Sequence, residues 1–240
     1  MTAVTIATLI ALILEVGSAK GAALALVLAI DVSASVNADS YLLQHDGIAR
    51  AFASPRLAEA ISASPGGIEV LVLEWSDPDK IAVTVDWTRV ADTGSADAFA
   101  AAVRATRRSS AGITAIGPAL LAAAATFDRL PEPAGHRMID ISGDGMANFG
   151  LSPAAARDRI VAGGIAINGL AILTEEPWLA DYYRNNVIGG PLAFVVIART
   201  FDDFADSMLR KLMQEVADSS VTGAPYAPFR CNKSGSVRSR

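Results

Sequence analysis

The feature that most constrains the fold of this chain is a run of nine apolar residues, 22–30 (AALALVLAI), which ends in Asp31. A strand that is apolar along its whole length is typical of the centre of a parallel sheet, where helices cover both faces. The run therefore predicts a central buried strand. Asp31 is predicted to lie at its carboxyl end.

Strands and helices are predicted to alternate along the rest of the chain. Further strands are predicted at 68–75, 80–87, 137–141, 165–172 and 192–198, and helices at 39–52, 95–106, 117–130, 153–162 and 201–217. Turn residues at 76–79 predict a hairpin, so one strand must run antiparallel. This order predicts an α/β fold: one doubly wound (Rossmann-like), mostly parallel sheet with one antiparallel edge strand and helices on both faces.

The amino-terminal segment contains a second apolar run, 4–14, which is eleven residues long and is followed by Gly17, Ser18 and Ala19. An apolar run before small residues favours a secretory signal peptide in residues 1–19, cleaved after Ala19. No Lys or Arg precedes the run, so an N-terminal helix packed on the domain is the alternative. A bilayer span needs about 20 apolar residues, so no stable membrane span is expected. Export would place the protein in the periplasm or outside the cell, and otherwise it would be cytoplasmic.

Residues 20–218 are predicted to form one domain, followed by a flexible basic tail at 219–240 that has four basic residues and no acidic one. The net charge of −5 gives no overall attraction to phosphate backbones, so nucleic acid is excluded as the principal partner. Cys231 is the single cysteine, which excludes an internal disulfide and metal sites built from several cysteines.

Hydroxyl and carboxyl side chains follow several predicted strands and helices at one edge of the sheet. Asp31, Ser33 and Ser35 come at the end of the first strand, Thr114 precedes a helix, and Asp144 follows the strand at 137–141. In open α/β sheets, ligands bind outside the carboxyl ends of the strands, where the strand order reverses. Oxygen ligands without His or Cys favour a hard cation such as Mg²⁺ or Ca²⁺.

The order and spacing of these residues resemble the metal-ion-dependent adhesion site of von Willebrand factor A domains. The segments ALVLAIDVSASV, EWS, ISGDGMAN and FDDFADSMLRKL are similar to a bacterial subgroup of that superfamily, the uncharacterised DUF1194 proteins. The resemblance covers residues 22–217 and implies a von Willebrand factor A-like fold and a metal site, but no reaction.

The resemblance also implies a role for each site residue. The hydroxyls of Ser33, Ser35 and Thr114 would bind the cation directly, and Asp31 and Asp144 would bind it directly or through water. The expected ion is Mg²⁺, with Mn²⁺ or Ca²⁺ as alternatives. Mg²⁺ takes about six oxygens, so an acidic side chain of a protein partner can complete the shell. The implied function is a noncatalytic adhesion or scaffolding module.

Two other functions remain open at this point. One is a Mg²⁺-dependent phosphohydrolase with Asp31 as nucleophile, similar to haloacid dehalogenase-like enzymes. Such an enzyme would need an acid two residues later, where Ser33 stands, and a lysine at a strand end, where none of the four lysines is predicted. His45 and His136 are not placed as general bases. The other is a purely structural domain with an empty site.

Several other polar and aromatic residues are predicted to have structural roles or to lie in solvated loops. Asp140 is predicted to be a buried, hydrogen-bonded acid that supports the site and is not a ligand. Glu175 and Glu176 are predicted in a solvated loop, with contact to a partner as the alternative. The three tryptophans are predicted to pack in the core or at its edge: Trp75, Trp87 and Trp178.

Overall fold

A computed structural model describes residues 21–221, so the predicted signal peptide or helix at 1–19 and residues 222–240 of the predicted tail lie outside the described residues. The strands are β1 Leu24–Asp31, β2 Ile68–Trp75, β3 Ile81–Val90, β4 His136–Gly143, β5 Ala166–Ile172 and β6 Val195–Ala198. The helices are α1 Ala38–Phe52, α2 Pro55–Ala63, α3 Thr93–Ala105, α4 Ile116–Thr126, α5 Pro153–Ala162, α6 Leu179–Asn186 and α7 Phe204–Val221. Helix α7 extends three residues past position 218, where the sequence predicts the domain to end.

The six strands form a single sheet in the order β3-β2-β1-β4-β5-β6. Strand β3 runs antiparallel to β2, and the other pairs are parallel, which confirms the predicted doubly wound sheet with one antiparallel edge strand. The strand order reverses between β1 and β4. Ligands of open α/β sheets bind at that reversal. Asp31 ends β1, and Asp144 follows the last residue of β4.

The central strand β1 has no exposed residue. Its alternate side chains divide between two cores because successive residues of a strand point to opposite faces. Leu24, Leu26, Leu28 and Ile30 pack with α1, α2, α3 and α7, and Ala25, Val27 and Ala29 pack with α4, α5 and α6. The smaller alanines on the second face leave room for helix α4, which contacts β1 directly.

Helices α2 and α6 were not predicted from the sequence. Helix α2 begins at Pro55, where proline is tolerated because the first helical N–H needs no partner. Helix α6 is mostly polar and is fixed by three buried residues, Leu179, Ala180 and Tyr183. No helix of residues 21–221 is both long and apolar enough to cross a membrane.

Both ends of the described chain lie at the amino-terminal edge of the sheet, opposite to Asp31 and Asp144. The backbone oxygen of Ala22 accepts a hydrogen bond from the N–H of Gly135, just before β4 begins. At the end of α7, the hydroxyl of Ser220 lies 3.2 Å from that of Ser64, in the turn before β2.

Asp140 is buried as predicted, but its partner belongs to helix α7 and not to the predicted metal loops. The Nζ of Lys211 lies 2.8 Å from Oδ1 of Asp140 and 2.5 Å from Oε1 of Glu215. The amide of Asn168 donates to the same Glu215 oxygen at 2.9 Å. Burial raises the pKa of Asp140, against the lowering effect of the Lys211 ammonium. The prediction that Asp140 supports the site is therefore wrong, because its charge is used to hold α7 against the sheet.

Replacing Lys211 by Met should lower the free energy of unfolding by about 3–5 kcal/mol, because two buried carboxylates lose their cation. The loss should be smaller at pH 5 than at pH 8. Buried acids without a cation have raised pKa values, so the folded variant binds protons more tightly than the unfolded chain and gains stability as the pH falls. Denaturant unfolding at both pH values measures this.

The matched control is Arg184→Ala, which removes the exposed ion pair with Asp181 on α6. Exposed pairs contribute about 0–1 kcal/mol, so this variant should stay near the parent. An equal loss in both variants would contradict the structural role of Lys211.

Candidate metal centre

The loop after β1 is shaped by the carboxylate of Asp31. This side chain is wholly buried, and its Oδ1 accepts a hydrogen bond of 2.7 Å from the backbone N–H of Ser33. The backbone then turns, with the N–H of Val36 bonded to the carbonyl of Ser33, and α1 begins after the N-cap Asn37. The second carboxylate oxygen of Asp31, Oδ2, is buried and has no hydrogen-bond partner. The loop thus holds one unsatisfied acceptor at the end of the central strand.

Hydrogen bonds between side chains join the loop after β1 to the loop after β4. The hydroxyl of Ser35 donates to Oδ1 of Asp144 at 2.7 Å, and the hydroxyls of Ser33 and Ser35 are 3.2 Å apart. Ser33 and Asp144 are buried, whereas Ser35 is exposed. Four of the five predicted residues therefore lie together at the strand-order reversal, with an opening to solvent at Ser35.

Thr114 is brought to the same place by the loop between α3 and α4. Its backbone exchanges two hydrogen bonds of 3.0 Å with Asn148, which follows Asp144 in the next loop. A Cβ built at Gly145 would lie 4.0 Å from the Thr114 hydroxyl. The N–H of Ala34 also bonds the carbonyl of Gly112 at 2.7 Å, which fixes this loop to the loop after β1. Thr114 therefore lies in a loop that is bonded to both loops that carry the other four predicted residues.

The carboxylates of the cluster carry uncompensated charge. Burial raises the pKa of Asp31 to about 7, and the nearby Asp144 adds to the rise. Burial also raises the pKa of Asp144, with a further contribution from Glu175. Burial therefore disfavours the ionised acids, although the charge of Arg108 lowers the pKa of Asp31, and further positive charge would favour the ionised forms. A bound divalent ion would supply that charge.

Close packing behind Asp31 depends on the absence of a side chain at Gly143. A Cβ there would lie 2.7 Å from Oδ2 of Asp31 and 2.8 Å from the hydroxyl of Tyr183. The Tyr183 hydroxyl is also buried without a hydrogen-bond partner, and burial raises its pKa well above the ordinary value. Two unsatisfied polar atoms therefore face the small space that Gly143 leaves open.

The donor set fits a hard cation. It consists of hydroxyl and carboxylate oxygens, which are ligands for Mg²⁺, Mn²⁺ or Ca²⁺. Within residues 21–221 there is no group of three or more His, Cys, Asp or Glu side chains that could hold a metal ion. A site rich in histidine, cysteine or carboxylates is thus not formed by the described part of the chain.

Arg108, which the sequence analysis missed, connects the two loops that carry the predicted ligands. One guanidinium nitrogen, Nη2, donates to the carbonyl of Val32 at 2.8 Å and to that of Ser33 at 2.9 Å. The Nε atom donates to the carbonyl of Ser110 at 2.8 Å. A single sequence gives no signal that separates Arg108 from the neighbouring Arg107, because Val32 and Ser33 are distant from both along the chain.

Glu74, near the end of β2, connects helix α1 to the loop after α3 by hydrogen bonds. It is fully buried and accepts hydrogen bonds from the hydroxyl of Tyr41 at 3.0 Å and the N–H of Ser109 at 2.7 Å. His45 Nε2 lies 3.0 Å from its Oε1. Burial alone would raise the pKa of Glu74, but the bonds from His45 and Ser109 bring it below the ordinary value. An acid in the apolar strand IEVLVLEW was the available sequence signal.

The three tryptophans and the two glutamates after β5 differ in how far they are buried. Trp75 is fully buried, and Trp87 donates from its indole nitrogen to the carbonyl of Thr126 at 3.1 Å. Trp178 differs from the prediction of packing, because 48% of it is exposed. Glu175 is exposed, while Glu176 is half-buried and receives the backbone N–H of Met146.

Comparison with known proteins identifies the family. The model of the family described as "Protein of unknown function (DUF1194)" matches residues 21–220. No curated protein matches. Solved structures give a similar fold, among them proximal thread matrix protein 1 from the mussel byssus (19% identity, TM-score 0.59, 84% of this chain and 47% of that one).

Two further structures agree with that fold. They are a von Willebrand factor type A protein from Catenulispora acidiphila (19% identity, TM-score 0.58, 84% of this chain and 43% of that one) and the pilus adhesin SpaC from Lactobacillus rhamnosus GG (14% identity, TM-score 0.59, 84% and 31%). The chain spans less than half the length of each of these three structures. The chain belongs to the DUF1194 family and has the fold of a von Willebrand factor A domain.

Proposed function

We propose that this protein is a divalent-metal-dependent protein-binding module, used in adhesion or scaffolding, and not an enzyme. The observation that carries the proposal is the buried carboxylate of Asp31, whose Oδ2 has no hydrogen-bond partner, in the same loop as Ser33 and Ser35 and joined through Ser35 to Asp144. A carboxylate buried without a partner is costly, and a cation at this point would offset the cost.

Each residue of the cluster has a defined role in this proposal. The hydroxyls of Ser33, Ser35 and Thr114 bind Mg²⁺ directly, and Asp31 and Asp144 bind it directly or through water. Mn²⁺ and Ca²⁺ are the alternative ions. When bound, the ion accepts an oxygen from an acidic side chain of the partner protein, since Mg²⁺ takes about six oxygens and the cluster opens to solvent at Ser35.

Two similar structures support this choice of function. One form of proximal thread matrix protein 1 is described with a zinc-occupied MIDAS motif (17% identity, TM-score 0.57), and SpaC is a pilus adhesin. In the first protein this fold is described with a bound metal, and the second protein is described as an adhesin. The likeness to SpaC and the predicted signal at 1–19 support a proposed location in the periplasm or outside the cell.

The phosphohydrolase alternative has no observation in its favour. Ser33 stands where the second acid of such an enzyme would lie. Arg108 is the cation nearest to the cluster, and its hydrogen bonds go to backbone carbonyls. Lys211 is buried against Asp140, away from the metal loops, and His45 is paired with Glu74.

Removing one hydroxyl and one carboxylate of the cluster together should abolish metal binding. In isothermal titration, Ser33→Ala with Asp144→Ala should weaken Mg²⁺ or Mn²⁺ binding by more than about 100-fold, because even outer-shell partners are worth about 10–100-fold. The matched control is Ser62→Ala with Asp181→Ala, which changes the same residue types on α2 and α6. Unchanged binding in the Ser33/Asp144 variant would refute the proposed site.

Arg108→Ala should weaken Mg²⁺ binding by about 10–100-fold while the protein stays folded, because the loops carrying Ser33 and Thr114 lose the guanidinium bonds between them and keep only backbone contacts such as that of Ala34 with Gly112. Arg107→Ala is the matched control: the same change one position away, at an exposed side chain. Titration gives the affinity, and thermal unfolding checks the fold. If both variants bind Mg²⁺ alike, Arg108 does not organise the site.

The absence of phosphatase chemistry can be tested directly. We expect the Mg²⁺-loaded protein to hydrolyse p-nitrophenyl phosphate no faster than buffer, because the Arg108 guanidinium is bonded to backbone carbonyls and His45 is paired with Glu74. Asp31→Asn is the control. Turnover that is lost in that variant would favour the phosphohydrolase.

A further inference from the structure

Large apolar side chains are exposed around the candidate metal centre. Residues 21–221 contain nine exposed large apolar side chains, and four of them lie in the loops that surround the cluster. These four form what we call the apolar collar: Ile113 (39% exposed), Met146 (42%), Phe149 (59%) and Trp178 (48%). Single exposed apolar residues are ordinary, but a group of them beside a binding site marks an interaction surface.

The collar adjoins the proposed ligands along the chain and in space. Ile113 immediately precedes Thr114, and Met146 lies two residues after Asp144. Phe149 follows Asn148, whose side chain and backbone are both bonded to Thr114. The collar residues therefore lie in the loops that carry Thr114 and Asp144, or in the loop joined to them through Tyr182.

The loops that carry the collar are held in place by specific contacts. The N–H of Ile113 donates to the carboxylate of Asp77 at 2.7 Å. The hydroxyl of Tyr182 accepts the N–H of Ala147 at 3.2 Å, and the ring of Trp178 meets the ring of Tyr182 edge-on at 6.3 Å. Because these loops are already ordered, a partner that binds the exposed apolar side chains loses little conformational entropy in ordering them.

The negative charge beside the collar disfavours a partner segment with many acidic residues. Glu175 and Glu176 lie within electrostatic reach of Asp144 on the Trp178 side. A partner rich in acids would be repelled there, whereas one carboxylate directed at the metal would not. The favoured segment therefore has a single acid with apolar neighbours.

Resting on the proposed metal site, we propose that the apolar collar is the docking surface for a protein segment in which one Asp or Glu is flanked by large apolar residues. The carboxylate completes the shell of the metal, and the flanking side chains cover Ile113, Met146, Phe149 and Trp178. The metal gives the requirement for an acid, and the collar gives the preference among acidic segments.

Three blocked synthetic peptides test the pairing: Gly-Leu-Glu-Phe-Gly, Gly-Ser-Glu-Ser-Gly and Gly-Leu-Gln-Phe-Gly. In NMR titrations with Mg²⁺, the Leu-Glu-Phe peptide should bind at least about ten-fold more tightly than the Ser-Glu-Ser peptide, which corresponds to burying one large apolar side chain. The Leu-Gln-Phe peptide, or EDTA, should remove binding. Equal affinity for the first two peptides would overturn the collar. Equal affinity for the Glu and Gln peptides would overturn its coupling to the metal.

Variants of the collar complete the test. Phe149→Ser and Met146→Ser should each lower the ratio of the two affinities, Leu-Glu-Phe over Ser-Glu-Ser, by about ten-fold, so that the two peptides bind almost equally. Neither change should alter the Mg²⁺ affinity of the protein. Leu192→Ser is the matched control, because Leu192 is also exposed (64%) but lies at the opposite edge of the sheet. An equal loss in the control overturns the inference. Mg²⁺ titration of the parent separates the two proposals: bound Mg²⁺ without a peptide preference rejects only the collar, whereas no bound Mg²⁺ rejects the metal site.

Discussion

The rest of the site depends on the burial of one carboxylate, Asp31, at the end of the central strand. Removing an ionised acid from water is costly unless other groups replace the lost hydration. Ser33 supplies one hydrogen bond, and the second oxygen is left without one. The surrounding contacts all act to keep the loops in place around this unsatisfied oxygen: the Ser35 to Asp144 bond, the Arg108 bonds to carbonyls, and the small residue at Gly143.

Comparison of three buried acids shows how surroundings decide their roles. Glu74 and Asp140 have partners within the protein, namely His45 with Ser109 for the first and Lys211 for the second, and both connect layers of the fold. Asp31 has no ion-pair partner in direct contact among the described residues: Oδ1 accepts one hydrogen bond from Ser33, Oδ2 accepts none, and burial raises the pKa of Asp31 to about 7 although the charge of Arg108 lowers it. Burial and residue type alone do not distinguish these roles. The presence or absence of a partner does.

The sequence predicts those parts of the fold and site that are encoded locally. The apolar run at 22–30 predicts the central strand. Because the run ends at residue 30, it also predicts that Asp31 and the two serines after it lie at the carboxyl end of that strand. Arg108 and the pairing of Asp140 with Lys211 were missed because they depend on contacts between distant segments, which one sequence does not reveal. Helix α6 was missed because its polar sequence LADYYRNN is fixed by tertiary packing of three residues and not by a strong apolar period.

The positions of the two ends of the described residues also constrain how the domain can be displayed. Ala22 and Ser220 lie at the amino-terminal edge of the sheet, and the candidate metal centre lies at the other edge. A group joined directly to either of these described ends would therefore be attached at the pole opposite to the candidate metal centre. A tether, a surface or a neighbouring domain at that pole would leave the Asp31 cluster facing outward, so attachment and recognition would not compete for the same side of the molecule.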